Sequence, residues 1–319
     1  MAYTRWQIPN SAMLEPRQLP LEQEKSLPPR DVERVDALGT PVPGPSRWRH
    51  GAVGRWPTRI SAAILAIFVL ASVLAPLIAP YGYATVGFIP LAAPSAAHPF
   101  GTDDLGRDVL SRVIYGGRTT LEVTVIAVAI ALVIGVTLGL VSAYFGKWLD
   151  ILVMRIVDVV FAFPAILLAI GLVAVLGASV QNLVIVITAL TIPRFVVVVR
   201  AAARKVRYSE YLEAAQFMNT GALRIILRHV VPNVASYIMV EAALSMSSAV
   251  LIEAALGFLG LGAPPPVPSW GGMVSEAMPT MTISWWTVVF PGLAIVLLVL
   301  SLNLLADGLE ARFNIGRES

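Results

Sequence analysis

Residues 213–232 read EAAQFMNTGALRIILRHVVP and separate two long apolar runs, residues 180–199 and 234–261. Arg224 and Arg228 lie four residues apart in this segment. Apolar residues recur at i, i+3, i+4 and i+7, a spacing that predicts one apolar helix face opposite the two arginines: Leu223, Ile226, Leu227 and Val230.

A corner divides the segment into two short helices. Asn219 and Gly221 both tolerate left-handed backbone, and Thr220 is suited to cap a second helix that we expect to end at Pro232. This shape is typical of a docking element. It is equally consistent with an amphipathic loop that lies in a lipid headgroup layer.

The composition indicates a membrane protein. The 319 residues are 57% hydrophobic and only 13% charged, whereas soluble domains carry roughly 25% charged residues. Cysteine is absent, which excludes disulfides and thiolate nucleophiles, and the three histidines lack metal-ligand spacing. We expect neither a metal centre nor a bound cofactor.

Six apolar runs are each long enough to cross ~30 Å of hydrocarbon as a helix, so the predicted fold class is an all-α integral membrane protein: residues 60–79, 119–144, 151–176, 180–199, 234–261 and 286–305. Lysine and arginine collect at the cytoplasmic side of such proteins. If the spans alternate, 20 of the 23 fall on one side, in residues 1–59, 145–155, 194–228 and 306–319. This split predicts cytoplasmic N- and C-termini and a cytoplasmic 213–232 segment, and it explains the net charge without nucleic acid as a partner.

The remaining segments are polar. Residues 1–57 are rich in Pro, Arg and Glu and have no apolar period, which predicts a disordered cytoplasmic tail. Residues 58–118 hold the first span and an extracytoplasmic connection, and residues 309–319 form a cytoplasmic C-terminal tail.

Carboxylates near the spans are candidates for a pathway or for structural bonds, because charge at membrane depth is costly: Glu122, Asp158, Glu241 and Glu253. Asp158 follows Arg155 by three residues, which favours a structural ion pair. Glu253 precedes the irregular run GFLGLGAPPPVP, and it can either line a pathway or bond the backbone amides of that run. The structural role is favoured.

The connection before the second span contains Asp103, Asp104, Arg107 and Asp108. Arg107 stands among the carboxylates and no bidentate glutamate follows at the required position, so a calcium loop is disfavoured. A salt-bridged turn leading into the next helix is the better interpretation. Trp285 and Trp286 are expected to anchor the sixth span at the membrane interface.

The Glu213-Ala214-Ala215 triplet, with its closing proline, resembles the EAA loop of bacterial ABC importer permeases. That loop usually has a glycine four residues after its second alanine, where this chain has Asn219. Since asparagine also tolerates positive φ, we expect the bend to persist.

Three further stretches are similar to the C-type subunits of dipeptide/oligopeptide permeases. They are residues 98–118 (HPFGTDDLGRDVLSRVIYGGR), residues 257–273 (GFLGLGAPPPVPSWGGM, which includes Trp270), and MRIVD followed by FAFP within residues 154–164. Relatives often carry a serine-containing run where this chain has Glu253-Ala254-Ala255. The resemblance covers about residues 58–317.

This resemblance implies a type I ABC importer fold, with a permease domain over residues 119–308 and a coupling loop at about 208–232. It implies a subunit of a peptide importer in the bacterial inner membrane that forms a heterodimer with a second permease. Two ATPases would bind ATP and magnesium, and an extracytoplasmic binding protein would dock on the outer loop. The chain itself would be non-catalytic, since it lacks a phosphate-binding Gly-x-x-x-x-Gly-Lys sequence.

The resemblance places contacts with the ATPase in the coupling loop, at Glu213, Ala214, Ala215, Asn219, Gly221 and Arg224. Glu213 is the first candidate for a polar contact, the alternative being a solvated carboxylate at a helix N-terminus. Arg224 and Arg228 are expected mainly to hold the loop against anionic headgroups.

Other functions remain open at this point. Similar subunits import nickel chelates, glutathione and some sugars. An ion-coupled secondary transporter or a channel would need an interrupted helix with a charged site at mid-membrane, and the cytoplasmic loop argues against it. An intramembrane enzyme has little support, because no nucleophile and base pair at one depth.

Overall fold

A computed structural model describes residues 55–207 and 221–313 of the chain, and these residues form helices joined by irregular loops. The helices are α1 (Arg55–Val73), α2 (Ala75–Ile78), α3 (Val109–Phe145), α4 (Lys147–Phe161), α5 (Ala165–Leu176), α6 (Val180–Arg207), α7 (Ala222–Ile225), α8 (Val231–Phe258), α9 (Trp270–Ala277) and α10 (Trp286–Phe313). A π-helix, Ile226–Val230, joins α7 to α8, and a 3₁₀ turn, Met278–Thr280, follows α9.

The all-helical membrane architecture is confirmed, but six spans are not. Within the described residues, four helices are long and apolar enough to cross a membrane, namely α3, α6, α8 with its π-helix, and α10. The expected span over residues 151–176 is not one continuous helix, because α4 and α5 meet at 91°. Pro164 causes this break, since proline lacks an N–H and pushes the preceding residue out of helical geometry. If the bent pair is one span, the count is five.

The first expected span is also shorter than predicted. The apolar part of α1 covers only Thr58–Val73, and Pro76 lies in the first turn of the separate helix α2. The tail predicted for residues 1–57 lies outside the described residues apart from 55–57, which begin α1. At the other terminus α10 continues to Phe313, so residues 309–313 are helical.

The centre of the bundle is the pair α3 and α6, which run parallel and approach closely at two glycines. A Cβ at Gly135 would lie 2.5 Å from Cβ of Phe195, and one at Gly139 would lie 3.0 Å from the carbonyl oxygen of Val196. Because glycine has no side chain, the backbones meet directly there. α8 runs in the opposite direction and completes a core with them.

The bundle has two ends, which are named here by their residues. The loop end consists of residues 79–108 and 259–285. The basic end consists of residues 142–150, 199–207 and 221–230. α3 and α6 run from the loop end to the basic end, and the first turn of α1 packs against Gly308 of α10 at the basic end.

Candidate functional site

Asp108 at the loop end fixes the start of α3. Its carboxylate accepts hydrogen bonds from Ser111 N at 2.8 Å and Ser111 Oγ at 2.7 Å, and it contacts His98 Nδ1 at 2.9 Å. A carboxylate is a favourable N-cap because it accepts from otherwise unpaired amides. Asp108 therefore anchors the connection to the first turn of the long helix.

The predicted salt-bridged turn is confirmed, and it includes a partner that the sequence did not suggest. Asp103 accepts from Arg107 N at 2.8 Å and from Arg107 Nε at 2.6 Å. Glu276, in α9, then accepts from Arg107 Nη2 at 2.9 Å and from Arg112 Nη2 at 2.8 Å. Asp104 is exposed and lies 3.9 Å from Arg107. Two buried arginines thus bind the connection to α9.

Trp270, predicted in the outer loop, is the buried first residue of α9. Its Nε1 donates to the carbonyl oxygen of Val113 at 2.8 Å, and its ring covers Gly116 and Gly117 of α3. The next residue, Gly271, packs against the carbonyl of Ala254 so closely that a Cβ would overlap it. Gly116, Gly117 and Gly271 are therefore packing residues.

Trp286 does not act as the interfacial anchor that its sequence position predicted. It is buried, and its Nε1 donates to the carbonyl oxygen of Thr102 at 3.2 Å. A buried indole needs such an acceptor. Trp285 is exposed, as expected for an interface residue.

Glu253 is enclosed within the chain and has no exposed surface. Its Oε2 accepts a hydrogen bond from Thr120 Oγ1 at 3.0 Å, which ties α8 to α3. Its Oε1 makes no hydrogen bond of ordinary geometry and has the hydroxyl of Ser269 as a neighbour. The carboxylate thus contacts side-chain hydroxyls, where the sequence suggested backbone amides. Glu122, by contrast, is exposed on α3.

The ion pair predicted between Arg155 and Asp158 is wrong. Both side chains are exposed on α4, and no ion pair joins them within the described part of the chain. The same helix also exposes Ile151, Ile156 and Val159. A pair of long, exposed side chains gains little from mutual attraction, because each charge can be solvated separately.

Arg194 lies halfway along α6, although the charge count grouped it with the cytoplasmic residues. Its Nη1 donates to Ser248 Oγ at 2.6 Å across to α8. Glu241, also on α8, accepts from Ser245 Oγ at 2.9 Å. Arg194 and Glu241 are both half-buried. Arg194 differs from the other arginines because it lies near the middle of a long helix. Residue spacing in the sequence does not by itself fix this position.

Most of the predicted coupling residues lie outside the described residues: Glu213, Ala214, Ala215 and Asn219, together with Thr220. Gly221 is described and directly precedes α7, and its carbonyl accepts from Arg224 N at 3.0 Å and Ile225 N at 3.2 Å. Gly221 has no positive φ, so the expected left-handed backbone is not used there. Arg224 is exposed.

The helix face predicted after Gly221 is corrected in two respects. The helix does not end at Pro232, because the π-helix leads directly into α8 and proline is acceptable in a first turn. The wider π-turn also shifts the register of the side chains. Ile225, Ile226 and Val230 are buried, whereas Leu227 is 60% exposed.

Asp150 bonds to three side chains at the basic end, and sequence reasoning did not identify it. It lies in the first turn of α4 and accepts hydrogen bonds from Arg200 Nη2 at 2.8 Å and Arg204 Nη2 at 3.0 Å, both on α6. Ser142 of α3 also bonds to it. The available signal was an acidic residue just after the Gly146 turn, together with arginines four residues apart on one helix.

These contacts show how the basic end is connected. Residues 208–220 join α6 to α7, and Ile225 and Val230 pack against Leu140 and Val199 of α3 and α6. Asp150 binds the last turns of α6 to α3 and α4. These contacts therefore join α3, α6 and α8 to one another at the basic end.

The chain combines long apolar helices, buried charged side chains and a basic end. Together these features define a multi-pass membrane protein. The chain belongs to the family described as the binding-protein-dependent transport system inner membrane component, whose model matches residues 135–315.

Two relatives illustrate this membership. The dipeptide transport system permease protein of Alkalihalophilus pseudofirmus is 42% identical over 293 residues, covering 88% of this chain and 96% of that protein. The glutathione transport system permease protein of Pectobacterium atrosepticum is 43% identical over 217 residues, covering 68% and 72%.

A solved structure shares the fold. It is an inward-facing form of the methionine ABC transporter MetNI, with a TM-score of 0.50 and 18% identity, and it covers 62% of this chain and 96% of that chain. At this identity the likeness concerns the fold alone.

Proposed function

We propose that the chain is a permease subunit of an ATP-driven peptide importer. The observation that carries the proposal is the 42% identity to a dipeptide permease across 96% of that protein's length. In this proposal the chain forms half of the translocation pathway, and a second, homologous permease forms the other half. The basic end and both termini are cytoplasmic, in agreement with the distribution of lysine and arginine.

The chemistry of ATP lies in the partners. Two ATPase subunits hold ATP and magnesium, because this chain has no Gly-x-x-x-x-Gly-Lys-Ser/Thr sequence. An extracytoplasmic binding protein delivers cargo at the loop end. The permease domain spans residues 119–308. It follows an N-terminal tail (residues 1–57) and a segment that holds the first helix and the extracytoplasmic connection (residues 58–118). A C-terminal tail (residues 309–319) comes after it.

Coupling occurs at the basic end. The segment with Glu213, Ala214, Ala215 and Asn219 seats on one ATPase, and closure of the ATPases on ATP displaces it. Gly221 and Arg224 pass this displacement to the π-helix and α8. Asp150 passes it from α6 to α3. Packed interfaces shift between discrete arrangements rather than deform continuously, so the result is a rigid-body exchange of access.

The test combines assembly and transport. The chain is expressed with its partner permease, ATPases and binding protein, and uptake of a labelled dipeptide is measured in proteoliposomes. Glu213→Lys, or deletion of residues 213–217, is expected to abolish uptake while the permease remains in the membrane. Glu310→Lys, an exposed change on α10 at the same end, is the matched control. Undiminished ATP-dependent uptake in the Glu213 variant would refute the coupling assignment.

Glutathione is the second candidate cargo, because relatives that transport it match 68% of the chain at 43% identity. Glutathione carries the same terminal charges as a peptide, together with an additional carboxylate. Competition of unlabelled glutathione against dipeptide uptake separates the two. Stronger competition by glutathione than by dipeptides would reassign the cargo, and nickel chelates are tested in the same assay.

A further inference from the structure

Arg194 and Glu241 place opposite charges near the middle of two neighbouring helices. At 1.5 Å per residue, Arg194 lies ~20 Å from both ends of α6. Glu241 lies ~15 Å from the start of α8 and ~25 Å from its end. Ionised groups at such depth face a protein interior or water rather than lipid.

The chain encloses these two groups less completely than it encloses Glu253, Arg112 and Asp150, which bond across helices. Glu253 has 0%, Arg112 2% and Asp150 7% of its surface exposed, whereas Arg194 and Glu241 are only half-buried. Exposed apolar residues, Val197 and Leu244, lie near them on the same two helices. The remaining surface of the two charges therefore requires water or a polar occupant outside this chain.

The spacing of the charges is also informative. The guanidinium of Arg194 bonds to Ser248 and the carboxylate of Glu241 bonds to Ser245. These serines are three residues apart on α8, an axial separation of ~4.5 Å. Arg194 acts on Glu241 electrostatically, but no direct ion pair joins them within the described residues. The termini of an extended dipeptide lie within ~7 Å of one another.

We propose that Arg194, Glu241 and Ser248 form a site for zwitterionic cargo in the translocation pathway. Arg194 binds the carboxylate terminus through its planar guanidinium, which can donate two parallel hydrogen bonds. Glu241 binds the ammonium terminus. Ser248 holds the guanidinium in place while the site is empty. This inference rests on the proposed importer function and adds to it the location and chemistry of a cargo contact.

The chain has no cysteine, so a single introduced thiol reports directly on water access. Ser248→Cys is compared with Leu300→Cys, which is 52% exposed on α10 and also lies ~20 Å from both ends of its helix. The assembled importer, in proteoliposomes with its binding protein and ATP, is treated with an anionic methanethiosulfonate reagent. Labelling is measured on this chain.

We expect the thiol at position 248 to react during ATP hydrolysis, and a transported dipeptide to slow the reaction at least fivefold. The Leu300→Cys control should not react. An unreactive thiol at 248 in every nucleotide state would overturn the proposal, because the site would then be covered by the second permease. Reaction without protection by the dipeptide would also overturn it, since the surface would be wet but would not contact cargo.

Charge variants test the assigned roles. Arg194→Gln is expected to lower uptake of a free dipeptide at least tenfold, yet to change uptake of its C-terminal amide less than threefold. Glu241→Gln should show the converse preference with an N-acetylated peptide. Each ratio is taken against the unmodified importer with the same binding protein. Equal losses for both peptides, or a lowered melting temperature, would show a structural pair and refute the proposal. If the unmodified importer takes up no peptide, the proposed function fails instead.

Discussion

The loop end holds a network of ion pairs within the chain, formed by Asp103, Arg107, Arg112 and Glu276. At the basic end, Asp150 forms ion pairs with two arginines. Arg112 is 2% exposed. At the basic end, by contrast, Lys205, Arg224 and Arg228 are exposed and form no ion pair within the described residues.

This difference indicates which end couples to the ATPase subunits. The loop end pairs the buried Arg107 and Arg112 with carboxylates and caps α3 at Asp108, all within the chain. The basic end presents cations and an exposed Leu227 beside a π-helix, and such helices are frequent at functional sites. We therefore expect changes at the basic end to affect coupling and changes at the loop end to affect stability.

The largest effect is expected for Asp150→Asn. The change leaves Arg200 and Arg204 without a carboxylate partner among the described residues, so the last turns of α6 lose their polar link to α3 and α4. Uptake should fall at least tenfold, and the free energy of unfolding should fall by about 2 kcal/mol, less than for a fully buried pair because Arg204 is 42% exposed. Uptake and thermal unfolding of the detergent-solubilised assembly measure both quantities.

Asp158→Asn is the matched control, because Asp158 lies on the same helix but is exposed and has no ion pair within the described chain. It should retain normal uptake, and Asp150→Glu should recover part of the loss. Normal uptake by Asp150→Asn would contradict the assigned role of the contact.

A smaller effect is expected for Glu276→Gln at the loop end. Among the described residues, Arg112 would keep Asp103, with 3.5 Å between Nε and Oδ2, as its ion-pair partner, so the free energy of unfolding should fall by about 1–2 kcal/mol. Uptake per folded importer should stay within twofold of normal. Asp104→Asn, whose side chain is 45% exposed, should change stability by less than about 0.5 kcal/mol. A transport defect greater than the loss of folded protein would remove the proposed contrast between the ends.

The smallest effect is expected for Trp286→Phe, which keeps an aromatic ring and removes the hydrogen bond to Thr102. The predicted loss is about 1 kcal/mol in the free energy of unfolding. Trp285→Phe, at a side chain that is 55% exposed, should be nearly neutral. Thermal unfolding of both variants decides whether the bond is structural, and equal shifts would argue against it.

The helices could be predicted from sequence because apolar length is a local property. Residues 119–144, 180–199 and 286–305 each lie within a helix of the structure, and the run 234–261 extends three residues beyond the end of α8. The break at Pro164 was visible in the sequence FAFP, but the apolar content of residues 151–176 outweighed it. Charge depth was harder to predict, as Arg194 shows, because its position depends on how far α6 continues beyond the apolar run.

The partners of side chains could not be predicted in this way. Trp286 and Thr102 are 184 residues apart in the chain, and Thr120 and Glu253 are 133 apart. Both residues of each pair have sequence contexts consistent with several roles, such as an interfacial anchor or a pathway carboxylate. Only the packing of helices selects among them.

The segment at residues 213–232 and the motifs around it were sufficient, by themselves, to determine the class of protein, because composition, spacing and motif order are fixed in the chain. The tertiary structure decided that Asp150 joins three helices and that Trp270 and Trp286 are buried. It also decided that Arg194 and Glu241 are half-buried near the middle of their helices. These facts depend on contacts between distant residues, and such contacts exist only once the apolar helices have packed.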